Sequence, residues 1–151
     1  MIDITHRIGI KAPAEKLFQA LSTIEGLSHW WTDTVEGKAE TGHTIQFSFM
    51  NEGRLIGQMV MEVLELNPER TVRWVCIDGP EEWKGTEIRF DFHQQDDQTI
   101  LIFGQYNWQE ASEFSAHCSM KWAVFLLSLR DYVETGKGKP APQDIKIDNW
   151  N

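Results

Sequence analysis

The sequence predicts an α+β domain in which helices gather on one face of a curved antiparallel sheet. Three observations carry that prediction. The chain opens on an alternating stretch followed by a helix start at Pro13, residues from about 33 to 108 alternate apolar and polar in run after run, and residues 112–135 switch to helical spacing.

Residues 2–10 alternate as a first strand, with Ile2, Ile4 and Ile8 on one face and His6 interrupting it. Pro13 suits the first turn of a helix, where its fixed φ fits and its missing amide hydrogen is no loss. Leu17, Phe18 and Leu21 follow at helical spacing, and this helix should end near Ser22. Gly26 is expected to break the chain before GLSHWWTD, which then forms a second short helix or a turn leading into the sheet. Neighbours on a helix do not face each other, so Trp30 and Trp31 should diverge, one into the core and the other toward solvent or the cavity entrance.

In TIQFSFM, Ile45, Phe47 and Phe49 share a face; in GTEIRFDF, Ile88, Phe90 and Phe92 do, with Glu87, Arg89 and Asp91 opposite. Between them, RLIGQMVMEVLEL and RTVRWVCI are separated by the turn signal Asn67-Pro68-Glu69, and DDQ at 96–98 makes a hairpin turn. TILIFGQYNW is apolar on both faces, so either Leu101 and Phe103 or Ile100 and Ile102 point inward.

Phe114, Cys118, Trp122, Phe125, Leu126, Leu129 and Val133 form the apolar stripe of a long helix, with Gly136 just past its end. Residues 1–136 therefore make one domain of strand, two short helices, about six further strands and a long helix. The tail 137–151 is proline-spaced and should lie over the surface or pack by Ile145, Ile147 and Trp150.

With 151 residues, 41% hydrophobic and 25% charged, the chain can bury a core without metal or disulfide staples. No apolar run is long enough to cross a bilayer, and MIDITHRIGIK lacks the basic and apolar regions of a signal peptide, so a cytoplasmic protein without membrane insertion is expected. Cys76 and Cys118 are expected to be free thiols. A net charge of −9, with scattered lysines and arginines, argues against nucleic acid as a partner. The lysines of GKGKP at 136–140 fit solubility better than recognition.

The histidines at 6, 29, 43, 93 and 117 show no metal-ligand spacing, and the glycines at 42, 53, 57, 79 and 85 show no phosphate-cradling pattern. Neither a metal nor another cofactor is expected. His117 and Cys118 are adjacent, but successive helical side chains point about 100° apart, so no catalytic pair is assigned. Glu81 and Glu82 read as a solvated loop and Asp96 and Asp97 as turn formers.

A long helix laid across a curved sheet leaves a wedge where the two diverge. Its candidate lining is Trp31, Phe47, Phe49, Met59, Met61, Trp74, Phe90, Phe92, Trp122 and Phe125, with core and cavity both open as roles for the aromatic residues. Gln105, His117 and Lys121 are the polar groups that can reach it, each needing a partner or a ligand.

The stretches APAEKLFQALST, HWWTD, EGRLIGQMVMEVLELNPERTVRW, WKGTEIRFDFHQQDDQTILIFGQ and KWAVFLLSLRDYVETGKGKP, in this order and spacing, resemble the SRPBCC superfamily. This is the helix-grip fold of StAR-related lipid-transfer and birch-pollen-allergen-like proteins. Within it the chain is most similar to the C-terminal domain of heat shock protein 90 ATPase activators. The resemblance implies β-α-α-β6-α topology, with a sheet of about six to seven strands wrapped around the C-terminal helix and an internal cavity. Members carry lipids, bind hormones or aromatic polyketides, cyclise polyketides, or stimulate a chaperone's ATPase.

The expectation ranked first is a monomer or homodimer that binds a small hydrophobic or aromatic molecule without chemistry, with access gated around the second helix. A cochaperone acting on heat shock protein 90 ranks second, because cochaperones of this type carry an additional N-terminal domain and this sequence starts at the first grip strand. An enzyme resembling a polyketide cyclase or aromatase ranks third.

Overall fold

The computed structural model describes residues 1–151. The strands are β1 (Ile2–Ile10), β2 (Thr34–Gly37), β3 (Thr44–Asn51), β4 (Arg54–Asn67), β5 (Thr71–Asp78), β6 (Glu87–Gln95) and β7 (Gln98–Trp108); the helices are α1 (Ala14–Ser22), α2 (Ile24–Trp30) and α3 (Glu113–Thr135). All seven strands form one antiparallel sheet, ordered β1-β7-β6-β5-β4-β3-β2. From β2 to β7 each strand pairs with the next, so short turns suffice, and β1 closes the far edge against β7. This is the helix-grip plan, β-α-α-β6-α.

The sheet curves because its ladder is interrupted. Register shifts fall at Phe49/Met50 between β3 and β4, and at Val60/Met61 and Val63/Glu65 between β4 and β5. An extra residue on one strand bends it and raises its twist, which coils the sheet around α3. Ile45, Phe47, Met61, Trp74, Ile88, Phe90 and Phe92 of the concave face meet Trp122, Phe125, Leu126 and Leu129 of α3 in one core. In β7, Leu101 and Phe103 join that core; Ile102 is half-buried and Ile100 is buried outside the main cluster. The convex face carries ion pairs, with Arg73 held between Glu65 (2.9 Å) and Glu87 (3.0 Å).

Helix ends follow local chemistry. Ser112 and Ser115 cap α3 reciprocally, and Gly136, at φ 86°, turns its amide back to Tyr132 O at 2.8 Å. No helix is long and apolar enough to cross a membrane.

Three local expectations are corrected. Pro13 sits one position before the first turn, as the N-cap of α1. Gly26 does not break the chain but lies inside α2, which begins at Ile24 under the cap of Thr23 Oγ1 (2.9 Å from Gly26 N). The glycine is there because α1 crosses at contact distance: a Cβ would lie 2.8 Å from both Ala20 Cα and Gln19 O. In an open helix Gly→Ala stabilises. Here Gly26→Ala is expected to lower stability by about 1–3 kcal/mol, the range for overpacking a rigid contact, as read from urea denaturation.

The third concerns the two tryptophans, of which Trp30 enters the core and Trp31 reaches the cavity, but neither meets solvent and the two do not diverge. Trp30 and Trp31 are both buried, and their rings lie nearly parallel (15°) with centroids 6.1 Å apart. Trp30 fills the space over Ala20, donating Nε1–H to its carbonyl at 2.9 Å. Trp31 escapes solvent because the C-terminal tail runs over it: Ala141 N donates to Trp31 O (2.8 Å) and Asp33 N to Ala141 O (3.0 Å). Ser128 of α3 ties the same layers together, its hydroxyl donating to Trp30 O (2.9 Å) and accepting from Lys139 N (2.7 Å).

Candidate functional site: a cavity bounded by the tail

Between the β3–β4 end of the sheet, α3 and the tail lies a cavity of about 460 Å³. That is within the range of small-molecule sites. Trp31, Phe49, Trp83, Trp122 and Phe125 give it an aromatic wall; Met59, Phe114 and Cys118 extend the wall toward the mouth. Ile56 and Trp150 line the cavity and are exposed. Ala141, Pro142, Asp144, Lys146, Asn149, Trp150 and Asn151 supply the side contributed by the tail. The element around α2 gives only Trp31, so the tail and the β3–β4 hairpin, not α2, frame the opening.

Of the residues singled out from the sequence, Trp31, Phe49, Met59, His117, Lys121, Trp122 and Phe125 line this cavity. Phe47, Met61, Trp74, Phe90 and Phe92 lie behind it as core. Phe47 packs on Trp31 (centroids 4.3 Å) and Trp74 bridges Trp31 (6.0 Å) to Phe90 (5.2 Å). Gln105 is also behind the lining. It accepts from Trp122 Nε1 at 2.8 Å and donates to Thr86 Oγ1 at 3.0 Å, fixing the Trp122 ring against β7. Replacing Gln105 by leucine would leave the buried Trp122 N–H without an acceptor, with an expected loss of about 1–3 kcal/mol in thermal or urea unfolding.

The polar end is built from α3 and the tail together. Lys121 is buried, donates to Asp144 Oδ2 and to Ile145 O (2.9 Å), and lies 5.0 Å over the Phe125 ring. Asp144 Oδ1 accepts from Lys146 (3.0 Å), and Oδ2 also accepts from Asn151 Nδ2 (3.1 Å). Burial pushes the Asp144 carboxyl up, but the hydrogen bonds from Lys121 and Lys146 outweigh it and hold the group below its ordinary 3.8. His117 Nδ1 lies 2.7 Å from Asp148 Oδ2, and its ring meets Trp150 at 5.4 Å.

The adjacent Cys118 has no part in a catalytic pair. Its Sγ accepts from Trp83 Nε1 at 3.4 Å, and burial pushes its thiol up to about 12; burial likewise pushes Cys76 up to about 11. Both are protonated thiols at neutral pH. Ellman's reagent is expected to leave both unmodified in the native protein and to titrate both in denaturant.

Sequence reasoning missed Trp83, which follows the Glu81-Glu82 loop, and the tail's Asp144 and Lys146. One signal pointed to Asp144: Lys121 lies beside the apolar stripe of α3, and a buried ammonium there requires a carboxylate from another element.

The comparisons with known proteins agree with this architecture. The family model for Activator of Hsp90 ATPase homolog 1-like protein matches residues 11–134. The solution structure of the Aha1 dimer from Colwellia psychrerythraea is 47% identical, covers 91% of this chain and all of its own, and superposes with a TM-score of 0.79. CalU16 from Micromonospora echinospora (16% identity, 93% of this chain, 77% of its own, TM-score 0.70) shares the fold. So does DynU16 of the dynemicin biosynthetic locus (17% identity, 90% of this chain, 48% of its own, TM-score 0.74). No curated protein matches the chain. The match over residues 11–134, on a helix-grip sheet closed over α3, shows that the chain belongs to the family of Activator of Hsp90 ATPase homolog 1-like proteins, within the SRPBCC superfamily.

Proposed function

We propose that the protein binds a small hydrophobic or aromatic molecule in the cavity between the sheet, α3 and the tail. One observation carries this reading: about 460 Å³ is left unfilled beside four tryptophans and three phenylalanines, in a domain whose adjoining core is buried. Apolar surface left in a cavity of this size favours an apolar guest, through burial and dispersion contacts.

The neutral dye N-phenyl-1-naphthylamine tests it. Binding is expected to enhance the dye's emission and quench the tryptophans that line the cavity. Met59→Trp, which places bulk in the wall, is expected to weaken that binding about tenfold or more without altering the circular dichroism spectrum. No enhancement in the wild-type protein, together with no co-purifying small molecule in native mass spectrometry, would reject the proposal.

A second reading is an interaction protein that stimulates a heat shock protein 90 ATPase. It is supported by the family and by the 47% identity to a dimeric Aha1 whose whole chain is covered. That relative also supports a homodimer here. ATPase stimulation that persists in Met59→Trp would favour the chaperone reading over the cavity, and light scattering reads the oligomeric state.

A further inference from the structure

We infer that the preferred ligand carries an acidic head, a carboxylate or phenolate on an apolar body, and that Lys121 and Lys146 hold that head. The inference rests on the cavity being a ligand site. The protein has 23 acidic residues and a net charge of −9, yet Asp144 is the only acidic residue on the cavity wall. The cationic side chains on the same wall are Lys121 and Lys146, so the lining carries two ammonium groups against one carboxylate.

That single carboxylate is already committed on both oxygens, Oδ2 to Lys121 and Asn151 and Oδ1 to Lys146. The lysines are not fully used. Each ammonium has three donors. Lys121 gives one to Asp144 and one to Ile145 O, while Lys146 gives one to Asp144 and one to Pro142 O (3.1 Å). One donor on each remains without a protein acceptor, and Lys121 Nζ lies 5.0 Å from the Phe125 ring of the apolar wall.

An organic anion laid along the aromatic wall can place its head at this end. There it meets a net positive lining and two free charge-assisted donors, the one on buried Lys121 strengthened by surroundings of low polarity. A neutral head gains only ordinary hydrogen bonds. A cationic head meets the excess of like charge. The chain's overall negative field would repel such an anion at long range, so the local lysine pair has to supply the preference.

Three ligands with one body separate these cases: 2-naphthoic acid, 2-naphthamide and 2-naphthylmethylamine, each displacing N-phenyl-1-naphthylamine at neutral pH. The acid is expected to compete about tenfold better than the amide, the amine worst, and the advantage of the acid should shrink as salt is raised. Lys121→Met should abolish the acid's advantage over the amide, and the dye's own binding to the variant reports whether the cavity is intact. Lys146→Met, at a half-exposed position, should reduce it about threefold and provides the test should Lys121→Met fail to fold. Equal competition by acid and amide, or an acid preference that survives both substitutions, would overturn the inference while the dye's own binding leaves the cavity reading standing. Failure of the dye to bind would remove both.

Discussion

Replacement of Trp31 by alanine is expected to lower the unfolding free energy by about 3–5 kcal/mol, among the largest effects of any single truncation in this protein. The side chain is 2% exposed and sits where four elements meet. Its ring centroid is 4.3 Å from Phe47 of β3, 5.0 Å from Trp122 of α3, 6.0 Å from Trp74 of β5 and 6.1 Å from its neighbour Trp30. Truncation removes buried aromatic area, and these large rings cannot collapse into the space because each is held by others: Trp74 by Phe90 and Trp122 by Phe103 and Gln105. Urea denaturation followed by circular dichroism measures the loss. Trp31→Phe should recover part of it, and a loss under about 1 kcal/mol for the alanine variant would contradict the packing described.

Asp144→Ala is expected to be comparably damaging, by about 3–5 kcal/mol near neutral pH, because it leaves the buried Lys121 ammonium without its carboxylate. Part of that effect should appear as release of the tail, detected as faster amide hydrogen exchange from residues 141–151 than from the sheet. The pH dependence has a definite sign. The Asp144 pKa is depressed in the folded state below its ordinary 3.8, so the folded protein binds the proton less readily than the unfolded chain. The stabilisation is fully present above about pH 4 and is lost as the pH falls through the lower, folded value. Urea midpoints of the wild-type protein and Asp144→Asn should therefore be well separated near neutrality and approach each other as the pH falls below the ordinary carboxyl value of 3.8.

Much of the architecture was legible in the sequence for a physical reason. A sheet buried on one face forces period-two alternation, and Ile45-Phe47 and Ile88-Phe90-Phe92 display it without interruption. The stripe from Phe114 to Val133 declares α3 in the same way. What alternation cannot separate is core from cavity. Phe47 and Phe49 point to the same side of β3, yet only Phe49 meets the unfilled space, because the divergence of α3 from the sheet decides this and no local pattern encodes it. Gly26 misled because a glycine required by a crossing helix looks in sequence like one required by a turn. The tail was opaque for a related reason. Its Asp144 is buried by a lysine that precedes it by 23 residues, and the segment has no periodicity of its own.

The tail also brings to the cavity a stretch of sequence that lies beyond the family match. The family match ends at residue 134, whereas Ala141, Pro142, Asp144, Lys146 and Trp150, which shape one side of the cavity and contribute one of its lysines, lie beyond it. Changes in a segment that carries little of the aromatic core can therefore reshape one side of the cavity, including one of its lysines, without altering that core.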